Sequence, residues 1–246
     1  VPQLPARDIR KFILPVINRS LQNKITNIIL DINDKVNLNI EINQTLEKMS
    51  QTLFKSWFVD FDPVIDNALD AGNPIPEALQ ARAELRQKVR NSTDFKPLPA
   101  EIRSLFPSEF EETELGWVPG GWETNRLENI LELAYGKALK KTERIEGDYP
   151  VYGSGGVDGS HNEFLVKGPG IIVGRKGTVG SLYWENKDFY PIDTVFYVKP
   201  KKYFSLVYCY QLLKTLGLEN MNTDAAVPGL NRNNAYRLDV ITPTQT

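Results

Sequence analysis

Apolar side chains recur every three or four residues along an early stretch of the chain. Residues 18–58 contain neither glycine nor proline, and their apolar positions follow one face of a helix. Such a helix would be roughly 60 Å long, far longer than an ordinary globular helix. A stripe of this length favours coiled-coil packing against a second helix. The predicted interface positions are Ile25, Ile28, Ile32, Val36, Leu46, Met49, Leu53 and Trp57.

Polar residues refine this prediction. Asn18 or Ser20 is suited to cap the start of the helix. Asn39 and Asn43 border the stripe, where a buried asparagine can set the register of a coiled coil. The alternative is a surface helix on its own domain, although a small domain would hardly cover so long a stripe. We assign residues 18–60 to one long spacer or dimerisation helix.

A proline-rich stretch ends the helical pattern and predicts a linker over residues 61–116. Within it, residues 77–90 form a short, charged helical pattern. Asp60 and Asp62 resemble a catalytic carboxylate pair, but aspartate before Pro63 is typical of a turn. We therefore interpret the two aspartates as a helix-terminating turn.

Residues 117–246 have a different pattern, with short β-type runs separated by glycine-rich turns. The runs include "YPVYGSGG", "GIIVGRKG", "SLYW" and "DTVFYVKP". The stretch "SLVYCYQLLKTLG" returns to helical spacing and stops at Gly217. The predicted fold class is α+β, in which a long coiled-coil-type helix is joined by the linker to a mixed globular domain.

The two ends of the chain resemble each other. The chain opens with "VPQLPARDIRKFILP" and closes with "VPGLNRNNAYRLDVITP". This match predicts a parent protein with a repeated unit about as long as this chain.

Composition narrows the classes of function. One cysteine excludes an intramolecular disulfide framework and fits a reducing cytoplasm. One histidine leaves no Cys/His cluster for a structural zinc and no obvious catalytic triad. The formal net charge of −2 is not that of a general nucleic-acid coat. A nucleic-acid partner would therefore have to be attracted by local patches of positive charge.

The glycine-rich stretches do not match nucleotide-binding motifs. In "GIIVGRKGTVG", Lys176 precedes Gly177 instead of following it, so the stretch is not a P-loop. In "GSGGVDG", Asp158 stands where a dinucleotide fingerprint needs its third glycine. A nucleotide-binding enzyme is therefore unsupported.

Residues 137–180 fit nucleic acid better. Their cations include Lys137, Lys140, Lys141, Arg175 and Lys176, and cations on loops can neutralise phosphates. Arginine, lysine, serine, threonine and asparagine can also read base edges in the major groove. The alternative is that the glycines only form hairpin turns and the charges are solvated.

Longer stretches resemble a known family. The segments "INQTLEKMSQTLFKSWFVDFDPV" and "LPAEIRSLFPSEFEETELGWVPGGWE" are similar to the conserved helical region and following linker of type I restriction–modification specificity (S) subunits. The segments "YPVYGSGGVDG", "GIIVGRKGTVGSLYW", "DTVFYVKP" and "AAVPGLNRNNAYRLDVITP" resemble successive blocks of their target-recognition domain. The resemblance extends over essentially the whole chain, in order.

The resemblance implies a non-catalytic component. An S subunit holds two target-recognition domains, and each reads one half of a bipartite site in double-stranded DNA. Its conserved helices pack antiparallel, set the spacing of the half-sites and dock methylase (M) subunits. S-adenosylmethionine is expected in M, and ATP in the restriction (R) subunits, so that this chain needs no cofactor or metal. The sequence agrees, since it contains no Asn-Pro-Pro-Tyr/Phe methylase motif and no Walker A motif.

The resemblance also places individual residues. It implies one helical region and one complete recognition domain, over residues 117–246, with residues 1–17 as the tail of a preceding recognition domain. Two copies pairing antiparallel would replace the missing second helical region. The predicted DNA-binding residues are Lys137, Lys140, Lys141, Tyr152, Ser154, Gly155, Gly156, Arg175, Lys176, Thr178, Asn231 and Arg232. The alternative function is a coiled-coil adaptor that binds protein without DNA specificity.

Overall fold

A computed structural model describes residues 11, 13, 16–201, 203–222 and 229–244. The chain divides into two compact units, Val1–Ser50 and Gln51–Thr246. The α-helices are α1 (Arg19–Phe58), α2 (Asp62–Ala71), α3 (Gln80–Arg90), α4 (Ala100–Arg103), α5 (Leu127–Ile130), α6 (Leu206–Thr215) and α7 (Arg232–Tyr236). Short 3-10 turns occur at Glu77–Leu79, Lys141–Glu143 and Leu218–Asn220.

Within the described residues, the strands form four antiparallel or mixed sheets, which confirms the predicted α+β class. The strands are β1 (Phe110–Thr113), β2 (Gly116–Pro119), β3 (Glu123–Arg126), β4 (Leu131–Tyr135), β5 (Tyr149–Gly153), β6 (Gly156–His161), β7 (Gly170–Gly174), β8 (Leu182–Glu185), β9 (Tyr190–Pro191), β10 (Val195–Pro200) and β11 (Asp239–Thr242). The largest sheet has the order β4-β10-β7-β8, and a three-stranded sheet has the order β6-β5-β9. The strands β1 and β2 form a hairpin, and β11 pairs with β3.

The long helix α1 begins at its predicted cap. The Asn18 side-chain oxygen accepts the backbone N–H of Leu21 at 2.9 Å, as an N-cap residue does. Seven of the eight predicted interface side chains are 42 to 62% exposed. The eighth, Trp57, is partly buried and its ring centre lies 5.5 Å from that of Phe106. Trp57 thus packs within the second unit, while the pairing of α1 with another helix stays a prediction.

A ladder of ion pairs joins α2 to α3. Three aspartates spaced four residues apart on α2 face three arginines with the same spacing on α3. The pairs are Asp62 with Arg82, Asp66 with Arg86, and Asp70 with Arg90. Asp60 also pairs with Lys55 and with Arg82. Asp60 lies in the turn between α1 and α2, Asp62 is the first residue of α2, and both carboxylates bind Arg82 of α3.

The main core fills the space between the large sheet and the helices α5, α6 and α7. It includes the fully buried side chains Leu133, Ile171, Phe196 and Leu213. Cys209 on α6 is also fully buried, and this burial raises the pKa of its thiol to about 12. The predicted end of this helix is confirmed, because Gly217 has a left-handed φ of 62° just beyond it.

A second cluster of buried side chains joins the large sheet to the three-stranded sheet. Its members are Tyr152, Ile172, Phe189 and Val195. The three-stranded sheet contains one parallel pair of strands, in which Val151 and Tyr152 of β5 pair with the two residues of β9. The segment that follows β9 therefore passes beside β5 before it enters the large sheet as β10.

Some sequence predictions concern the ends of the chain and the domain boundaries. The opening copy of the terminal match, and most of the predicted tail over residues 1–17, lie outside the described residues. The boundaries at residues 60 and 116 stay predictions. In the described part of the chain, no helix has both the length and the apolar composition needed to cross a bilayer.

Candidate nucleic-acid interface

One end of the large sheet gathers most of the predicted DNA-binding residues. The first residues of β10 pair with the last residues of both neighbouring strands, Phe196 with Tyr135 of β4 and Val195 with Gly174 of β7. The loops after β4 and β7 therefore leave the sheet at the same end. These loops carry Lys137, Arg175, Lys176 and Thr178.

The loop after β7 is held by its backbone. The N–H groups of Arg175 and Lys176 both donate to the carbonyl oxygen of Thr194, at 3.0 Å each. Gly177 has a φ of 86°, in the left-handed region that glycine enters without strain. The side chains of Lys176 and Thr178 are exposed. The turn therefore presents a cation and a hydroxyl to solvent on a fixed backbone.

The turn between β5 and β6 lies against this loop. The Ser181 hydroxyl donates to the carbonyl oxygen of Ser154 at 2.7 Å, and the Tyr183 hydroxyl donates to the same oxygen at 3.1 Å. A β-carbon on Gly177 would come within 3.2 Å of the Ser154 hydroxyl oxygen. The structure thus brings Ser154, Gly155 and Gly156 together with the loop after β7.

The segment that leads into α7 completes the surface. The N–H of Leu230 donates to the carbonyl oxygen of Arg175 at 2.8 Å. The side-chain oxygen of Asn231 accepts the N–H groups of Asn233 and Asn234, at 2.9 and 3.3 Å, and so caps α7. This oxygen is occupied by the backbone, which leaves the amide N–H₂ of Asn231 as its donor toward a ligand.

Three predicted residues have other surroundings. Tyr152 is 6% exposed, and its hydroxyl donates to Glu185 at 2.8 Å. Its burial, followed by this bond to a carboxylate, raises the pKa of the phenol. Lys141 pairs with Asp158 of β6 at 2.8 Å, and Lys140 lies 3.6 Å from Glu143. The structure therefore places Tyr152 inside the domain and gives both lysines carboxylate partners, while their role in DNA binding stays a prediction.

Tyr135 is a further residue of this surface that is not among the predicted DNA-binding residues. The Tyr135 side chain is 48% exposed at the end of β4. The guanidinium groups of Arg175 and Arg232 both lie over its ring, at 5.1 and 4.7 Å from the ring centre. An aromatic residue directly before the Gly-Lys pair, in "AYGKALKK", was the available signal. The contact itself joins three distant parts of the sequence.

Within the described part of the chain, the cations at this end of the sheet lack carboxylate partners. Among the described residues, no carboxylate forms an ion pair with Lys137, Arg175, Lys176 or Arg232. Four cations, a serine, a threonine and an asparagine amide are thus available to phosphates and to the acceptor groups of bases. No group of three His, Cys, Asp or Glu side chains in the described ranges could hold a metal ion.

Known proteins resemble this chain over the same region. Residues 119–236 match the family model described as "Type I restriction modification DNA specificity domain". The chain is 29% identical over 239 residues to the type I restriction enzyme HindI specificity subunit of Haemophilus influenzae. This match covers 90% of the chain and 48% of the relative, so the chain spans about half the length of the curated relative.

Two solved structures match parts of this chain at low sequence identity. The S subunit of a type I restriction–modification system from M. genitalium matches with 18% identity and a TM-score of 0.46, over 50% of this chain and 35% of that one. The HsdS subunit from Thermoanaerobacter tengcongensis matches with 12% identity and a TM-score of 0.42, over 92% of this chain and 46% of that one.

Proposed function

We propose that this chain is part of a type I restriction–modification DNA specificity subunit and that it reads one half of a bipartite site in double-stranded DNA. Its recognition surface is the end of the large sheet that carries Lys137, Arg175, Lys176 and Arg232. The observation that supports this proposal most is that these four cations share one surface and have no carboxylate partner among the described residues. Unpaired cations on close turns fit a polyanion.

The proposed role is recognition without chemistry. The chain directs methylase subunits to a sequence, and through the assembled complex it directs restriction subunits as well. The methyl donor S-adenosylmethionine and the fuel ATP would be bound by those partners. Both are inferred from the family and from the chain's lack of the corresponding sequence motifs.

Removing the charge of Lys176 tests the surface directly. In the chain assembled with its methylase subunits, Lys176→Ala should weaken binding to all duplexes. Because one phosphate contact is lost, the plot of log K against log salt should become shallower, with the magnitude of its slope smaller by about one. The measurement is a salt titration of binding to a labelled duplex, with the target and with an unrelated sequence.

Lys199→Ala is the matched control for this titration. Lys199 is an exposed lysine on β10, near the opposite end of the large sheet, where it lies 3.4 Å from Glu132. Its removal should leave the salt slope unchanged. Equal slopes for wild type and Lys176→Ala would contradict the assigned surface. Binding that ignores DNA sequence altogether would favour the protein-binding adaptor.

The exposed apolar stripe on α1 is a second binding surface, and its proposed partner is another copy of the chain. The side chains of Ile28, Ile32, Leu46 and Met49 are each at least half exposed, and an exposed apolar stripe favours association. Antiparallel pairing of two copies would bury the stripe and give a two-fold symmetric assembly with two recognition domains. Sedimentation at micromolar concentration should therefore give twice the 27.9 kDa mass of the chain. A stable monomer at that concentration would contradict the pairing.

A further inference from the structure

Two guanidinium groups share one aromatic ring at the recognition surface. Arg175 leaves the end of β7 and Arg232 begins α7, and both lie over the ring of Tyr135. From the two ring distances, the charges can be at most about 10 Å apart, which is close to the screening length of physiological salt. The two like charges therefore repel each other in the absence of a ligand.

Neither guanidinium has an acceptor within the described part of the chain. The Nε atoms of both arginines are covered by protein and lack a hydrogen-bond partner. Neither side chain forms an ion pair with a described carboxylate. Planar donors that are partly covered and left without acceptors are costly to maintain. A ligand that supplies acceptors in the guanidinium plane would bind the terminal Nη groups, since the covered Nε atoms are out of its reach.

A second ring fixes each arginine. Arg175 also lies over Phe196, at 5.8 Å, and Phe196 is fully buried. Arg232 also lies over Tyr236, at 5.6 Å. The Tyr236 hydroxyl accepts the N–H of Leu133 at 2.9 Å, so this ring is tied to β4. Both guanidinium groups are thus held by aromatic contacts on the sheet and on α7.

This fixed geometry separates the arginines from the nearby lysines. Lys137 and Lys176 are exposed, and neither ammonium lies over an aromatic ring in the described structure. A flexible ammonium suits a phosphate, which accepts from many directions. A rigid, planar guanidinium suits a pair of acceptors at fixed positions. In DNA, the O6 and N7 atoms of guanine form such a pair in the major groove.

We propose that Arg175 and Arg232 each read a guanine edge in the target, and that Tyr135 is the positioning residue that holds both. The inference rests on the proposed function, since it assumes that this surface meets DNA. It goes further by naming the base, the two reading residues and the residue that orients them. Tyr135 acts through the arginines, so its aromatic ring matters and its hydroxyl does not.

The test uses duplex targets in which each guanine is replaced in turn by 7-deazaguanine, which lacks the N7 acceptor. In the methylase-assembled complex, wild type should lose affinity roughly 10-fold or more at two guanines in the half-site. Arg175→Lys should lose this response at one guanine and Arg232→Lys at the other, because lysine keeps the charge but not the planar fork. Unchanged responses in both lysine variants would overturn the proposal.

Tyr135 is tested with a matched pair of substitutions. Tyr135→Phe keeps the ring and should respond to 7-deazaguanine as wild type does. Tyr135→Leu should bind the unmodified target more weakly and lose most of the response at both guanines. A full response in Tyr135→Leu would overturn the positioning role. If Tyr135→Leu does not fold, the two lysine variants still decide the assignment of guanine.

The outcomes also separate this inference from the proposed function. Target-selective binding with no response at any guanine would overturn the guanine assignment alone. If the wild-type complex bound every duplex equally well, both the guanine assignment and the proposed function would be overturned. A uniform loss of affinity in Arg175→Lys and Arg232→Lys, with all guanine responses retained, would make the arginines phosphate contacts and contradict the inference.

Discussion

Gly136→Ala should lower the free energy of unfolding by about 3 kcal/mol and greatly weaken DNA binding. A β-carbon at this position would lie 2.1 Å from the carbonyl oxygen of Ile192 and 2.6 Å from that of Pro191. Both are backbone atoms, so no side chain can rotate away to make room. The flanking hydrogen bond from the N–H of Lys137 to Pro191, now 3.0 Å, would have to stretch.

The effect on binding follows from the neighbours of this glycine. Gly136 lies between Tyr135 and Lys137, two residues of the proposed recognition surface. Moving its backbone displaces the ring beneath both arginines. Denaturant unfolding followed by tryptophan fluorescence measures the stability, and duplex binding measures the surface.

Gly155→Ala is the control for this substitution. Gly155 is exposed, and a β-carbon there would meet nothing within 4 Å. Its replacement should change the free energy of unfolding by less than about 0.5 kcal/mol. If the two variants were equally stable, the close approach of residues 136 and 192 would not exist in solution.

Asp62→Ala should lower the free energy of unfolding by about 3 kcal/mol. Asp62 is 4% exposed and accepts two bonds from Arg82, at 2.7 and 2.6 Å, and one from the Ser56 hydroxyl at 2.7 Å. Its removal leaves a partly buried arginine and a hydroxyl without this acceptor. The loss should appear in denaturant unfolding at neutral pH.

Asp70→Ala is the matched control at the other end of the ladder. The Asp70 side chain is 42% exposed, so solvent weakens its pairs with Arg90 and Arg103, and we expect a loss of about 1 kcal/mol or less. Hydrogen bonds from Arg90 and then Arg103 lower the pKa of Asp70. Its contribution is therefore present above pH ~4 and is lost as pH falls through the lowered pKa. Equal losses in the two variants would contradict the burial of Asp62.

Local sequence patterns predicted where two of the helices begin or end. The cap at Asn18 and the stop at Gly217 both occupy their predicted places. The helix α2 was missed because Pro63 was interpreted as ending a helix, whereas it lies in the first turn of a new one. The fourfold spacing of Asp62, Asp66 and Asp70 was a usable signal for that helix.

The sequence predicted which loops form the candidate site, but it did not predict the contacts between their side chains. The resemblance to S subunits identified the glycine-rich turns, and the structure brings three of them together. The shared ring could not be predicted, because Tyr135 meets Arg175 and Arg232 only after β4, β7 and α7 have packed. The inward position of Tyr152 follows from the sheet around β5, which the sequence does not describe.

In the function proposed for this chain, the domain over residues 117–246 chooses the DNA sequence. The most direct measurement is base-resolved methylation sequencing of cells that carry the chain with its methylase subunits. The comparison is with cells in which residues 117–246 are exchanged for the matching segment of the HindI specificity subunit. We predict that the wild type methylates one bipartite motif and that the exchange alters that motif. An unchanged motif after the exchange would contradict the account.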